Sequence, residues 1–194
     1  SENPSHAFHM GNEKTNMSAG RLNEPVNQDR VKFEVFGEEM VEKTLTEMHR
    51  GGIYDHVGYG FHRYSTDARW RVPHFEKMLY DNGPLLWLNT QAWCITGDSL
   101  FRDTAMETAD WVMRKMQAES GGYYSALDAD SEGEEGLFYT WTYAEVVDTL
   151  TDDELEAFKT AYTLTESGNF EGRNAFQRKI ELDELAKLEP ILKS

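Results

Sequence analysis

The sequence predicts an all-α protein built from helical hairpins, with one or two short β-hairpins in the loops between helices. Two observations support this fold class. Apolar residues recur at steps of three and four over about 28–50, 74–96 and 99–118, the spacing that puts them on one face of an α-helix. A Gly-Gly-x-Tyr motif begins at 51 and again at 121, each time leading into a polar loop. Repeated hairpins with long loops on one side are typical of helical toroids and solenoids.

The first half of the chain predicts two helices joined by a polar loop. Gly-Gly ends the first helix, 28–50, and glycines continue through the loop, so a short β-hairpin is expected at about 51–65. The second helix is expected from about His74 to Thr96. Pro84 removes one backbone hydrogen bond within it and crowds the preceding turn. We therefore expect a kink or a short break in this helix near Asn82.

The second half predicts one long helix, a second polar loop and several short helices. The long helix follows Gly97, is capped by Asp98 or Ser99, and runs to about 118. The aromatic ends of the loop at 121–141 are β-prone, so they are expected to pair as a hairpin. Two capping boxes each begin a short helix, Thr142 with Glu145 and Thr151 with Glu154, and a last helix is expected at about 182–188.

The composition and net charge exclude several classes of function. The 194 residues are 39% hydrophobic and 28% charged, which is typical of one globular domain. We expect a flexible lead-in at 1–26 and the domain at 27–194. The net charge of −16 argues against a nucleic-acid partner, and no apolar run is long enough for a membrane span. No signal peptide is visible, so a cytoplasmic location is expected. Cys94 is the single cysteine, which excludes an internal disulfide.

The stretch from Gly51 to Asn82 carries most of the side chains that could do chemistry. Treated as a helix from residue 74, its polar residues fall in one arc and its apolar residues in the opposite arc. A solvated surface face is one interpretation of this arc. A cavity wall is the other, because the arc combines a histidine and a tyrosine with carboxylates at a helix start. The arc contains His74, Glu76, Lys77, Tyr80 and Asp81.

The acidic loop after Leu127 imitates the start of a calcium-binding loop. Asp128, Asp130 and Glu132 stand at ligand-like spacing, followed by Gly133. The twelfth position of such a loop requires a bidentate glutamate, but here it is Tyr139. We therefore predict no metal and no other cofactor, and we expect this loop to lie over the rim of a cleft.

Three motifs carry a family resemblance: GGIYDHVGYGFHRYSTDARWRVPHFEKMLYDN, then GGYYSALDADSEGEEGLFYTWT, then GNFEGRN. They resemble the thioredoxin-domain-containing family related to spermatogenesis-associated protein twenty, over about residues 38–174. The resemblance implies an (α/α)6 toroid, similar to N-acylglucosamine 2-epimerases and six-hairpin glycosidases, of which this chain is a partial ring. Two departures from the family pattern are Tyr59, where glycine is usual, and Gly83-Pro84 in the second helix.

The resemblance suggests a carbohydrate-active or carbohydrate-binding domain. Epimerase-like proton transfer beside a carbonyl needs two proton-transfer groups, for which His62 and His74 are the natural pair, with Arg63 or Arg69 holding an oxyanion. The candidate catalytic residues are His62, His74, Glu76 and Asp81. The candidate substrate-binding residues are Asp55, Arg63, Tyr64, Trp70, Tyr80, Asp128 and Asp130.

Two alternatives stay open. A glycoside hydrolase would need two facing carboxyl groups, and the acidic residues offer many pairs. A non-catalytic domain would bind a ligand or a partner without turnover. A partial ring would also leave apolar helix faces uncovered. The partners expected are therefore a small sugar, and either a second copy of the chain or the missing half of the ring.

Overall fold

The computed structural model of the chain describes residues 28–181 and 184–188. The predicted lead-in at 1–26 lies outside these residues, as do the first two residues of the predicted last helix. The chain divides into two compact units, Ser1–Gly37 and Glu38–Ser194, and every feature below belongs to the second unit except the start of the first helix.

The described part of the chain is mainly helical, which confirms the coarse fold prediction. Three antiparallel two-stranded sheets accompany the helices, β1–β2, β3–β4 and β5–β6. A π-helical turn at Val112–Met116 extends α3, a 3-10 turn spans Leu137–Tyr139, and residues 184–188 are helical. The helices are α1 (Gln28–Arg50), α2 (Leu79–Thr96), α3 (Ser99–Trp111), α4 (Tyr143–Thr149) and α5 (Asp152–Ala161). The strands are β1 (Tyr64–Ser65), β2 (Pro73–His74), β3 (Lys77–Met78), β4 (Ala126–Leu127), β5 (Asp130–Ser131) and β6 (Glu134–Glu135).

The predicted helix ends are confirmed where local capping chemistry decides them. Gly97 ends α2 in the left-handed conformation, with φ of 73° and its N–H bonded to the Trp93 carbonyl. The Asp98 side chain accepts a hydrogen bond from the Leu100 N–H at the start of α3. Both capping boxes form, so α4 and α5 begin where the sequence predicts. Each box satisfies two backbone donors that a helix start otherwise leaves without partners.

The predicted helical start at His74 is wrong, because residues 73–78 are extended and α2 begins only at Leu79. Burial alternates along this segment: Pro73, Phe75 and Lys77 are buried, whereas His74 and Glu76 are partly exposed. That period of two belongs to a strand. The segment is held extended by backbone pairing on both sides, since β2 pairs with β1 and β3 pairs with β4. Lys77 therefore points inward with Phe75, opposite to its position in a helical arc.

The predicted break near Asn82 is also absent, since α2 runs unbroken from Leu79 to Thr96 with Pro84 inside it. Asn82 is fully buried and ties the helix to the preceding loop. Its side chain accepts from the Phe61 N–H at 2.7 Å and donates to the Phe61 and Met78 carbonyls at 2.9 Å each. These contacts fix the first turn of α2 just before the proline.

The second polar loop differs from the predicted single hairpin. Its first aromatic arm supplies β4, which pairs with β3 of the other loop, and its second arm forms the 3-10 turn. The hairpin is the short β5–β6 pair, where Glu132 and Gly133 both have positive φ, 55° and 86°. Positive φ at both loop residues is the geometry of a type I′ turn. The β3–β4 pair joins the two Gly-Gly loops directly.

Three groups of buried apolar side chains form the core. One lies between the helices, where Leu45 of α1 meets Ala92 of α2 and Phe101 of α3. A second contains Phe75, Ala129 and Ala175, and a third contains Val146, Leu155 and Phe176. Within the described residues, no helix is long and apolar enough to cross a membrane.

Candidate functional site

The extended segment 73–78 distributes the predicted site residues between two sides. On the outward side lies a group that we call the outer polar patch, and on the inward side lies a cavity that we call the inner cavity. The outer polar patch contains Arg63, Tyr64, His74, Glu76, Tyr80, Asp81 and Glu135. The inner cavity contains Asp55, His62, Lys77, Trp111 and Tyr139 among its lining residues.

His74 is held in one orientation within the outer polar patch. Its Nδ1 lies 2.6 Å from Oε1 of Glu135, and because a carboxylate accepts, Nδ1–H is the donor. The Tyr64 side chain, directly opposite in the β1–β2 register, stacks on the imidazole with centroids 5.1 Å apart. In the neutral imidazole this leaves Nε2 without a proton, 3.8 Å from Oε2 of Glu76. A carboxylate-oriented histidine of this kind can accept a proton through Nε2.

Arg63, Glu76 and Asp81 set the charge around His74. Nη1 of Arg63 donates to Oε2 of Glu76 at 2.9 Å, and the Arg63 N–H donates to the Glu76 carbonyl at 2.8 Å. Asp81 lies in the first turn of α2, and its Oδ2 is buried without a hydrogen-bond partner among the described residues. Burial raises the pKa of Asp81, with Arg63 opposing the rise and Glu76 adding to it.

Lys77 is the centre of the inner cavity, which has a volume of about 560 Å³. Its fully buried Nζ donates to Oδ2 of Asp55 and to the Tyr59 carbonyl, each at 2.7 Å. The ammonium also lies 4.8 Å from the ring centroid of Tyr139 and 5.1 Å from that of Trp111. Burial lowers the pKa of Lys77, and the Asp55 carboxylate limits that fall. The cation is thus neutralised by one carboxylate and faced by two aromatic rings.

Asp55 pairs with Lys77 through one carboxylate oxygen and stabilises a backbone turn through the other. Its Oδ1 accepts from the Val57 and Gly58 N–H groups at 3.0 and 2.8 Å, which folds the loop back on itself. Burial by itself raises the pKa of this carboxyl, but the Lys77 charge and the Gly58 N–H outweigh it, so the pKa is lowered. Asp55 is therefore ionised at neutral pH and fully engaged in structural contacts.

His62 faces the inner cavity as a neutral imidazole. It is 2% exposed, and its Nδ1 lies 3.0 Å from the Phe75 carbonyl, which can only accept, so Nδ1–H is the donor. Burial, with the Lys77 charge, lowers the pKa of His62 to about 3. His62 and His74 therefore lie on different sides of segment 73–78, and the structure does not bring the predicted pair to one site.

The remaining predicted residues lie away from both groups. Trp70 has a positive φ of 58° and lines a separate groove with Arg69. Asp128 and Asp130 are exposed in the acidic loop, where Oδ1 of Asp128 accepts from the Asp130 N–H at 3.2 Å. Within the acidic loop only Glu135, the β6 partner of Asp130, is assigned to the outer polar patch, through its contact with His74. In the described part of the chain, no group of three or more His, Cys, Asp or Glu side chains is arranged to hold a metal ion.

Comparison with known proteins identifies relatives for part of the chain. No family model matches the sequence. The chain is 45% identical over 147 residues to spermatogenesis-associated protein 20 of Homo sapiens, an alignment that covers 68% of this chain and 19% of that protein. The chain is homologous to spermatogenesis-associated protein 20 over part of its length. Identity to the Mus musculus protein of that name is 49% over 121 residues, covering 59% of this chain and 15% of the relative.

The resemblance predicted from the three motifs is therefore confirmed, and the chain spans less than a fifth of the length of these spermatogenesis-associated protein 20 relatives. Among solved structures, the crystal structure of D-mannose isomerase matches with a TM-score of 0.42 at 21% sequence identity. That match covers 64% of this chain and 30% of the isomerase.

The sequence did not indicate the roles of Lys77, Tyr139 and Glu135. Residues 73–76, Pro-His-Phe-Glu, alternate between apolar and polar and so fit a strand as well as a helical arc, but Lys77 breaks this alternation. No local signal marks Glu135, since its contact with His74 depends on pairing between the two loops. The sequence marks Tyr139 only as the residue that replaces the calcium-binding glutamate, whereas in the structure its ring faces the Lys77 ammonium.

Proposed function

We propose that the outer polar patch binds a sugar and that His74 transfers a proton on it, in an isomerase- or epimerase-like reaction. The observation that supports this is the 2.6 Å contact between His74 Nδ1 and Glu135, which leaves Nε2 as the basic nitrogen. Isomerisation of an aldose to a ketose needs one base that removes the proton at C2 and returns it at C1, while the hydroxyl proton at O2 passes to O1. A histidine is well suited to this because its ordinary pKa lies near neutrality.

The neighbours of His74 suit a carbohydrate ligand. Tyr64 and Tyr80 are 50% and 55% exposed, so each offers a ring face and a hydroxyl to a sugar. Arg63 and Glu76 offer a charged donor and an acceptor beside His74. Arg63 is also positioned to stabilise the negative charge that develops on the sugar oxygen as the proton leaves carbon. His62, with its pKa of about 3, is a poor base, so we assign no proton transfer to it.

We further propose that the helical hairpins form part of an (α/α)6 toroid. The mainly helical architecture supports this proposal, as does the β3–β4 pairing that brings both Gly-Gly loops to one place. In such a ring the loops between hairpins form one rim. The outer polar patch, built from both loops, would then lie on that rim.

A second candidate function is glycoside hydrolysis, and it rests on Asp81 and Glu76. Oδ2 of Asp81 is buried without a partner among the described residues, and burial raises its pKa, whereas Glu76 forms an ion pair with Arg63. Glycosidases need one carboxyl group that stays protonated and one that stays ionised. Asp81, whose pKa is raised, would be the acid in such a reaction.

The test follows hydrogen exchange at sugar carbons. The chain is incubated in D2O with D-mannose, D-glucose and N-acetylglucosamine, and deuterium at C2 is measured by NMR. His74→Asn should abolish incorporation and Glu135→Gln should slow it. Glu134→Gln is the matched control, because Glu134 is the adjacent exposed residue of β6 and should leave the rate unchanged.

The alternatives give different readouts in the same samples. Release of monosaccharide from disaccharides, lost in Asp81→Asn but not in His74→Asn, would replace isomerisation with hydrolysis. Sugar binding without exchange or cleavage would assign the patch to a non-catalytic domain. If none of these sugars exchanges, is cleaved or binds, the proposed function is wrong.

A further inference from the structure

A second cavity, separate from the outer polar patch and from Lys77, lies beside the C-terminal end of α1. Its volume is about 330 Å³. We call it the arginine cavity because Arg178 is one of its lining residues. His49 of α1, His56 of the first polar loop, Glu107 of α3 and Tyr162 just after α5 also line it. No residue of the proposed sugar site belongs to it.

Arg178 brings a buried positive charge to this cavity. The residue is 6% exposed, and its Nε and Nη1 atoms are buried without a hydrogen-bond partner in the part of the chain that the structure describes. Its backbone is fixed, since the Arg178 N–H donates to the Arg50 carbonyl at 2.9 Å. Glu107 and Glu181 favour the charge of the guanidinium, but they leave two of its buried donors without a hydrogen bond. Buried donors without partners are rare and costly, so their presence in a cavity wall indicates that something else completes the site.

Two histidines line the same cavity as Arg178. His49 is also 6% exposed, and its Nδ1 is buried without a partner among the described residues. Its ring centroid lies 5.8 Å from that of His56. His56 is held by a contact of 3.1 Å between Nε2 and the Gly51 carbonyl, so Nε2–H donates. Burial lowers the pKa of both imidazoles, and Arg178 lowers each further. A negative charge placed between these groups would relieve all three.

The acidic groups on the wall are already engaged. The Tyr54 hydroxyl donates to Oε2 of Glu107. Asp103 is partly exposed and accepts from Nε of its neighbour Arg102 at 2.8 Å. Nε and Nη1 of Arg178 have no hydrogen-bond partner among the described residues, so both can donate to an oxyanion from elsewhere.

We propose that the arginine cavity binds a small anion that carries a phosphate or carboxylate group, held by Arg178 with a hydrogen bond from His49. Nε–H and Nη1–H lie on different edges of the guanidinium, so one of them donates to an oxygen of the anion while the positive charge attracts the anion as a whole. The volume is that of a small-molecule site. Arg178 and His49 would contact only the charged oxygens of the ligand, so the ligand is either a phosphate ester or a carboxylic acid.

The test uses inorganic phosphate and acetate as probes, titrated into the chain by calorimetry at constant ionic strength set with sodium chloride. We expect binding of at least one probe. Arg178→Met should weaken it about tenfold or more, because charge-assisted hydrogen bonds are lost. Arg178→Lys should weaken it less, since it keeps the positive charge. Arg69→Met, which removes an exposed arginine outside the cavity, should bind as the unmodified chain does.

The two probes distinguish the source of the ligand, and thermal melts keep the test decisive. Tighter binding of phosphate assigns a phosphate ester, and tighter binding of acetate assigns a carboxylic acid. Added phosphate should raise the melting temperature of the unmodified chain but not that of Arg178→Met. If Arg178→Met does not fold, His49→Gln takes its place, with the same expected loss of anion binding and of stabilisation by phosphate. Absence of binding to both probes, or equal binding in Arg178→Met, overturns the proposal.

Discussion

The ammonium of Lys77 lies 2.7 Å from the carboxylate of Asp55, and no part of the lysine side chain is exposed to solvent. This ion pair connects the turn after Gly52 with strand β3, because Asp55 also accepts from two N–H groups of that turn. A pair buried this deeply is worth less than its Coulomb attraction suggests, because both groups lose hydration. Removing one partner, however, leaves the other charge buried and uncompensated.

Lys77→Met should therefore destabilise the protein by about 3–5 kcal/mol, since Asp55 would keep its charge without a partner. Asp55→Asn should have an effect of similar size by stranding the ammonium, although Asn can still accept from the Val57 and Gly58 N–H groups. The double variant should be more stable than the sum of the two single changes predicts. Urea denaturation of the four proteins measures this coupling. Additive effects would show that the two side chains do not interact.

Acid should destabilise the protein through its buried histidines. Burial lowers the folded-state pKa of His62 to about 3 and of His56 to about 4, against 6.5 when unfolded, and lowers that of His49 as well. The unfolded chain therefore binds more protons between these values. Stability is fully present above pH 6.5 and is lost as the pH falls from 6.5 toward 3 to 4, by up to about 1.4 kcal/mol per pH unit for each histidine.

The pH dependence can be assigned by one substitution. His62→Asn keeps a donor for the Phe75 carbonyl but cannot take up a proton, so the slope of unfolding free energy against pH should fall by one proton. Urea denaturation at a series of pH values between 4 and 7 measures it. Asp55 does not interfere, because its pKa is lowered from 3.8 and its contribution disappears only below that range. An unchanged slope in His62→Asn would contradict the prediction.

Gly136 has both a positive φ and no space for a side chain. Its φ is 71°, and a Cβ there would lie 2.4 Å from Cδ2 of Phe75. Gly97 has nearly the same φ, 73°, with no atom within 4 Å of a Cβ. Gly97→Ala should cost about 1–2 kcal/mol from conformation alone. Gly136→Ala should cost about 1–3 kcal/mol more from overpacking against the ring, measured by chemical denaturation. Equal costs would mean that Phe75 moves aside freely.

The helical hairpin should associate through exposed apolar side chains. Trp87, Ile95 and Met106, on α2 and α3, are largely exposed, and surfaces of this kind are rare on proteins that stay monomeric. We expect concentration-dependent self-association by light scattering, simplest as a two-fold dimer. The double substitution Trp87→Gln and Ile95→Gln should reduce it. Phe138→Gln, at an exposed aromatic outside these helices, serves as the control, and a monomer at every concentration would contradict the prediction.

The sequence predicts best those features that are decided by neighbouring residues. The bounds of α1, the glycine end of α2 and the two capping boxes follow from periodicity and cap chemistry, and all are confirmed. The predicted start of α2 is wrong, because residues 73–78 fit both the helical period of 3.6 and the strand period of two. Pairing with β1 and β4 selects the extended conformation. Tertiary pairing of this kind overrides a local helical pattern.

Among the candidate site residues too, the sequence predicts those that are close to one another in the chain better than those brought together by tertiary contacts. The structure places six of the predicted residues together in the outer polar patch: Arg63, Tyr64, His74, Glu76, Tyr80 and Asp81. Their partner Glu135 comes from the other loop, which no local pattern could reveal. Asp55 and His62, which the sequence groups with these residues, face the inner cavity instead, where Asp55 pairs with Lys77. Lys77 points into that cavity because the period of segment 73–78 is two and not 3.6.

The β3–β4 pairing has a consequence for the order of folding. It joins Lys77 to Leu127 and Met78 to Ala126, so it closes a loop that contains all of α2 and α3. Closing a loop of that length costs chain entropy that only a preformed helical hairpin can reduce. Contacts within the α2–α3 hairpin are local, and local contacts form faster than pairings between distant parts of the chain. We therefore expect the α2–α3 hairpin to form before the β3–β4 pair, and the outer polar patch to assemble after the helices.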